Sequence, residues 1–212
     1  MHYRGKMILI LTGGIGSGKS LAAGMLNQMY GFPVYSADLR VKELYNERPE
    51  LLNKIEEELG CRVRDDKGNF VPSLLAGLIF SDSDALEKVE NIVFHVLKDD
   101  FEDWTKDNPS AVHILESATI LEKDFFRGFG DLALVVTAPL EVRIERAMER
   151  DSSTEDQIRS RVEKQKMMND LGLLEACCWL PFEVCQNDAS PEELRSKLAD
   201  FIENKVLTKM LH

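Results

Sequence analysis

Residues Gly13-Gly14-Ile15-Gly16-Ser17-Gly18-Lys19-Ser20 carry the chemistry most directly legible in this chain. Gly13, four intervening residues and then Gly18-Lys19-Ser20 fit the pattern G-x-x-x-x-G-K-S/T without a gap. Glycines at this spacing let backbone N–H groups converge on phosphate oxygens, and the N-terminus of a following helix adds a favourable dipole. A lysine at the end of such a loop reaches the β- and γ-phosphates, and the hydroxyl after it holds Mg²⁺. The flanks supply the required setting. Met7–Thr12 (MILILT) is an apolar run of strand length, and residues 20–30 read as a helix closed by Gly31. The spacing therefore predicts a site for a nucleoside triphosphate, lined by Gly14, Ile15, Gly16, Ser17, Gly18, Lys19, Ser20 and Leu21, with Ser20 on the metal.

A second concentration of charge lies in residues 139–151, PLEVRIERAMERD. Leu140, Ile144, Ala147 and Met148 fall on one helical face, Arg143, Arg146 and Arg150 on a second, and Glu141, Glu145 and Glu149 on a third. Two readings fit this pattern. One is a solvated helix held by ion pairs between turns. The other is an arginine row leading out of a parallel strand, where a phosphotransferase places cations against a moving phosphoryl group. Downstream, Thr154-Glu155-Asp156-Gln157 is a capping box, and the helix it opens is expected to carry Arg159, Arg161 and Gln165. An arginine-bearing flap at this point suits a lid that closes to exclude water. Asp38 follows the second predicted strand, at the sheet edge where ligands of such folds bind. Its carboxylate could take the proton of an attacking hydroxyl, or cap the helix it begins.

These groups need a scaffold, and the chain alternates strand-like and helix-like segments. That order predicts an α/β fold with a mainly parallel five-stranded sheet flanked by helices, of the P-loop type. Strands are expected at 7–12, 33–37, 112–116, 132–137 and 182–186, and a short helix at 38–45. A final helix starts at Pro191, with Ser190 as its cap. The long stretch between the second and third strands reads almost entirely as helix, with Leu86, Val89, Val93, Leu97 and Phe101 at helical spacing in residues 82–104. It exceeds a simple crossover and is expected to be an inserted helical subdomain. The resulting division assigns residues 1–48, 108–150 and 181–212 to a nucleotide-binding core, 49–107 to a helical substrate-binding subdomain and 151–180 to the lid.

Composition narrows the function class. The 212 residues carry a net charge of −11, with 44% hydrophobic and 30% charged residues. This balance is that of a globular chain, and it argues against a nucleic-acid surface, which is usually basic. No apolar run approaches the ~20 residues that span a bilayer, and MHYRGK followed by MILILT lacks a secretory layout. Cys61, Cys177, Cys178 and Cys185 have no zinc spacing, and the adjacent Cys177-Cys178 pair disfavours a disulfide framework. Free thiols in a reducing cytoplasm are the expectation.

On these motifs the chain resembles the dephospho-CoA kinase family along nearly its whole length. The segment LTGGIGSGKS is close to the form that family's phosphate loop takes. Ser36-Ala37-Asp38 falls where the family has an Asp-Ala-Asp element, with Asp38 on its second aspartate. Lys67-Gly68-Asn69 through Leu78-Ile79-Phe80 resembles the turn and helix that open the CoA-side subdomain. His95 matches the histidine of a His-Pro pair, and Leu121-Glu122 the end of a Pro-Leu-Leu-x-Glu strand exit. Thr137-Ala138-Pro139 through Arg146 and Arg150-Asp151 matches the arginine helix, and Arg161-Val162-Glu163-Lys164-Gln165 the lid's Arg-x-x-x-Gln. The resemblance implies transfer of the ATP γ-phosphate, with Mg²⁺, to the ribose 3′-hydroxyl of 3′-dephospho-CoA. It further implies Asp38 as base, Lys19, Arg146 and Arg161 on the moving phosphoryl group, Arg150 beside the nucleotide, and His95 with Glu122 in the acceptor pocket.

The departures carry their own expectations. Ser36 replaces the first aspartate, Leu21 a threonine, Val96 the proline after the histidine and Ala118 the strand-exit proline. After Gln165 the family continues with basic residues. Here KMMNDLGLLEACCWLPFEVCQND is longer and holds only Lys166 as a cation, with Asn187 in the place of a final asparagine. Altered lid closure and nucleotide affinity are expected from it. Judged without the family, His95 on an apolar helix reads as a core histidine and Glu122 as a helix-starting carboxylate. Leu173, Leu174, Cys177, Trp179 and Leu180 form either core or a partner surface. A kinase for another nucleoside or nucleotide, and an ATP-binding regulatory homologue, are the competing functional readings.

Overall fold

The computed structural model describes residues 6–210. The first five residues of the segment read for a secretory layout, and the last two of the expected core, lie outside the described residues. Five strands, β1 (Met7–Thr12), β2 (Val34–Ser36), β3 (Val112–Glu116), β4 (Leu132–Thr137) and β5 (Phe182–Gln186), form one parallel sheet in the order β2-β3-β1-β4-β5. Four of the five coincide with the predicted spans. The second is shorter, because Pro33 and Ala37 lie outside its ladder.

All six residues of β1 are buried, as expected for a central parallel strand covered on both faces. On one face α1 (Lys19–Tyr30) and α10 (Pro191–Phe201) pack on Leu9, Leu11, Ile114, Leu134 and Val136. Their amphipathic stripes supply Ala22, Ala23 and Leu26 from α1 and Leu194 and Leu198 from α10. A second cluster joins Ile15 to Ile144 and Ala147 of α6 (Leu140–Asp151) and to Ile158 and Val162 of α7 (Glu155–Glu163). Leu140, expected on that apolar face, is exposed at the first position of α6, one turn short of the contact.

Local signals end the helices where they were read. Gly31 closes α1 in the left-handed region at φ 69°. Thr154 and Gln157 form both halves of the capping box of α7, and the Ser190 hydroxyl accepts from the Glu193 N–H ahead of α10. Gln165 lies beyond the C-terminus of α7, rather than on the helix. It precedes α8 (Lys166–Asn169) and α9 (Leu171–Cys177), which occupy the segment expected to be divergent. There Leu174 and Leu180 are buried while Leu173 and Cys177 are exposed, so the apolar patch is divided between core and surface. All four cysteines are free.

The chain divides into two compact units, Met1–Ser36 with Ser110–His212, and Ala37–Pro109. The helix α2 (Ala37–Glu47) groups with α3 (Pro49–Leu59), α4 (Pro72–Ser81) and α5 (Ser83–Asp107) in the second unit, so the division falls at residue 36 instead of 48. Residues 151–180 group with the sheet. Within the helical unit, Val89, Val93, Leu97 and Phe101 form the buried stripe of α5, and Asp82 caps that helix by accepting from Asp84 and Ala85 N–H groups. Arg40 of α2 forks onto Asp100 of α5 through two hydrogen bonds of 2.8 and 2.9 Å. Among the described residues no helix is long and apolar enough to cross a membrane.

Candidate active site

The phosphate loop runs from the end of β1 into α1. Gly18 precedes the helix in the left-handed region (φ 93°) and offers no side-chain cap, so the first-turn N–H groups keep their donor capacity for a ligand. The Ser17 N–H donates to the Gly14 carbonyl at 3.0 Å, which tightens the turn. Two of the loop's glycines are required by Arg143, which lies behind them. At Gly16 (φ 74°) a Cβ would sit 1.9 Å from the backbone carbonyl oxygen of Arg143. At Gly14 it would sit 2.0 Å from Arg143 Nη2. The loop thus lies directly against the first turn of α6.

Three distant elements hold the loop. The Ile15 N–H donates to Gln165 Oε1 at 2.7 Å. Arg143 Nε donates to the Ile15 carbonyl at 3.0 Å, and Asn187 Nδ2 donates to the Ser17 carbonyl at 2.8 Å. Asn187 follows β5, where the family pattern has its final asparagine, and it is buried. Lys19 opens α1 and has no hydrogen bond or ion pair among the described residues, leaving its ammonium for an anion. Leu21 is exposed on the same first turn.

At the C-terminal edge of the sheet, the Ser20 hydroxyl donates to Glu116 Oε1 at 2.6 Å. Glu116 ends β3, is buried, and pairs in register with Ser36 of β2. Ser36 removes a carboxylate that the family pattern carries, and Glu116 places one beside it. Sequence reasoning missed Glu116. The available signal was an acidic residue ending an otherwise apolar strand, VHILE.

The arginine row does not act as one face. Arg143 is buried against the loop, Arg146 Nη1 donates to the Asn187 carbonyl at 3.0 Å, and Arg150 turns to Asp151 through two hydrogen bonds. Arg161 of α7 reaches the same Asp151 at 2.6 Å. These two guanidinium groups hold the Asp151 carboxyl well below the usual carboxylate range. Among the described residues, two ion pairs run from α6 to α7, Glu141 with Arg159 at 2.8 Å and Asp151 with Arg161 at 2.6 Å.

Glu122, in the first of two 3₁₀ turns after β3, accepts the Met167 N–H at 3.0 Å, and burial pushes its carboxyl up. It is therefore tied to α8, and is not the start of an α-helix. Asp38 and His95 belong to the helical unit. Asp38 is exposed and is the second residue of α2, inside its first turn, so it is not the cap residue. His95 is also exposed on α5, with Nδ1 2.7 Å from the Asn91 carbonyl, which overturns the core-histidine reading.

Comparison with known proteins agrees with this architecture. The family model described as dephospho-CoA kinase matches residues 7–179. A dephospho-CoA kinase of Porphyromonas gingivalis is 36% identical over 161 residues, spanning 76% of this chain and 78% of that protein. One from Fusobacterium nucleatum is 28% identical over 197 residues, 93% of this chain and 97% of that protein. Among solved structures, TT1252 from Thermus thermophilus superposes with a TM-score of 0.76 at 26% identity, covering 94% of this chain and 98% of that one. A phosphate loop alone is common to many kinases, but a match running from β1 through the helical unit to the residues after α9 is not. On that match, the chain belongs to the dephospho-CoA kinase family.

Proposed function

We propose that this chain is an ATP-dependent kinase that transfers the γ-phosphate of ATP to the ribose 3′-hydroxyl of 3′-dephospho-CoA, giving CoA and ADP. The observation that carries the reading is the family match over 7–179, since it includes the helical unit as well as the phosphate loop. A cytoplasmic enzyme acting on small molecules is the corresponding setting.

In this reading the first-turn N–H groups of α1 and the Lys19 ammonium hold the β- and γ-phosphates. Ser20 and Glu116 present a neutral and an anionic oxygen within 2.6 Å of each other, a hard donor pair that suits Mg²⁺. When bound there, the ion would offset negative charge on the phosphates. Asp38 accepts the proton of the 3′-hydroxyl as that oxygen attacks the γ-phosphorus. The bond to the β-phosphate oxygen then breaks, and ADP leaves with the electron pair. Arg146, near Asn187, supplies positive charge to the nucleotide and the moving phosphoryl group, and Arg150 and Arg161 join it by exchanging Asp151 for phosphate oxygens. His95 and Glu122 contribute to the acceptor pocket.

The deciding measurement is ADP release by the purified protein with ATP and Mg²⁺, with and without dephospho-CoA, alongside Lys19→Ala and Asp38→Asn. Acceptor-dependent ADP release with CoA as product, and severe loss in both variants, is expected. Preferential phosphorylation of another nucleoside or nucleotide would sink the acceptor assignment. ATP binding with no acceptor turnover would move the chain to the regulatory reading.

A further inference from the structure

Arg143 is a buried cation that meets no anion among the described residues. Its Nε donates to the Ile15 carbonyl and its Nη1 to Asn169 Oδ1, each at 3.0 Å, and its buried Nη2 has no partner. It is only 4% exposed and forms no ion pair among the described residues. Both of its acceptors are neutral. Desolvating a guanidinium beside neutral groups is costly, and a single-headed burial of this kind is normally offset by a carboxylate. The same burial pulls the group's acidity toward the neutral form. Its unsatisfied nitrogen faces Gly14, on the back of the loop whose front is built to receive phosphate.

We propose that Arg143 is a positioning residue for the nucleotide: its uncompensated charge, held behind Gly14 and Ile15, draws phosphate into the loop without touching it. The second contact gives the device a reach beyond the loop. Asn169 ends α8 and its own Nδ2 donates to the Val162 carbonyl at the end of α7, so one guanidinium spans the phosphate loop and the lid segment. Loop geometry and lid position are then linked through a single side chain. The inference rests on the nucleotide-binding part of the proposed function and is independent of the acceptor.

The test measures ATP binding by calorimetry with no acceptor present, so an error in the acceptor assignment leaves it intact. Arg143→Gln retains a hydrogen-bond donor and removes the charge, while Arg143→Lys retains the charge. Asn169→Asp leaves Arg143 in place and neutralises it with an adjacent carboxylate. Each variant is first shown to melt cooperatively. Arg143→Gln and Asn169→Asp are expected to raise the Kd for ATP about tenfold, the scale of removing one nearby charge at the dielectric of a protein surface. Arg143→Lys is expected to recover most of that loss. A purely structural arginine would be served as well by glutamine as by lysine, and its neutralisation by Asn169→Asp would leave ATP affinity unchanged. Either of those results overturns the proposal. Should Arg143→Gln not fold, Asn169→Asp alone decides, by whether ATP affinity falls or holds.

Discussion

Gly14 and Gly16 occupy the same loop and meet the same residue, yet alanine at the two positions should fail for different reasons. At Gly14 the new methyl would lie 2.0 Å from Arg143 Nη2 and 2.5 Å from Cζ, the far end of a flexible side chain. Its φ is not among the positive values, so alanine can take the backbone conformation. The guanidinium must be displaced, an overpacking cost of about 1–3 kcal/mol. At Gly16 the methyl would lie 1.9 Å from the Arg143 carbonyl oxygen and 2.7 Å from its carbon, with φ at 74°. The left-handed conformation alone costs roughly 1–2 kcal/mol for a residue with a Cβ. The backbone of α6 must also retreat from the loop, so the total should exceed about 3 kcal/mol. Urea denaturation of the nucleotide-free protein measures both. The discriminating step is the double-mutant cycle with Arg143→Ala, which removes the guanidinium and leaves the carbonyl. Positions 14 and 143 should couple by about 1–3 kcal/mol, and positions 16 and 143 by less than about 0.5 kcal/mol. Equal penalties for Gly14→Ala in the two backgrounds would refute the idea that the guanidinium is what demands this glycine.

Lys19→Ala should lower kcat at least about 100-fold while leaving the melting temperature unchanged, because Lys19 serves no internal hydrogen bond or ion pair among the described residues; a matching fall in stability would show a structural role instead. Glu116→Gln preserves an acceptor for the Ser20 hydroxyl but removes the anionic oxygen, so the Mg²⁺ concentration for half-maximal activity should rise about tenfold or more. An unchanged Mg²⁺ dependence would exclude Glu116 from the metal site. Burial raises the Glu122 carboxyl above its ordinary 4.5, so the native state binds the proton more tightly than the unfolded chain. The stabilisation by its protonated form is complete below 4.5 and is lost as pH rises through the folded value. Glu122→Gln, which still accepts the Met167 N–H, should therefore be more stable than the parent at neutral pH and equal to it in acid. Denaturation at both pH values checks the sign, and a variant less stable at neutral pH would contradict it.

The fold was legible because its signals are local. Apolar runs bounded by glycine and proline place β1, β3, β4 and β5 on their observed residues. Ser190 and Thr154 mark helix starts, because a hydroxyl beside two or three free N–H groups has the same effect wherever the chain goes. The phosphate loop is legible for the same reason: its glycines, lysine and serine work through backbone within the loop itself. His95 was misread by that logic. Helical spacing identifies an apolar stripe on α5, but only the packing of α3 and α4 shows that the stripe is Val89, Val93, Leu97 and Phe101 and leaves His95 outside it.

What no local signal carries is which arginine meets the loop. Arg143, Arg146 and Arg150 are equivalent by spacing. The crossing of α6 over Gly14 and Gly16 buries the first, brings the second to Asn187, and leaves the third on Asp151. The same holds for Ser20 with Glu116, 96 residues apart, and for Ile15 with Gln165, 150 residues apart. The sequence alone specified the strands, the helix ends and a phosphate-binding loop, since each depends on the conformational preferences of a few neighbouring residues. The tertiary structure decided which charges surround that loop and which are spent elsewhere, since a side chain's partners depend on where the sheet order and helix packing bring distant segments together.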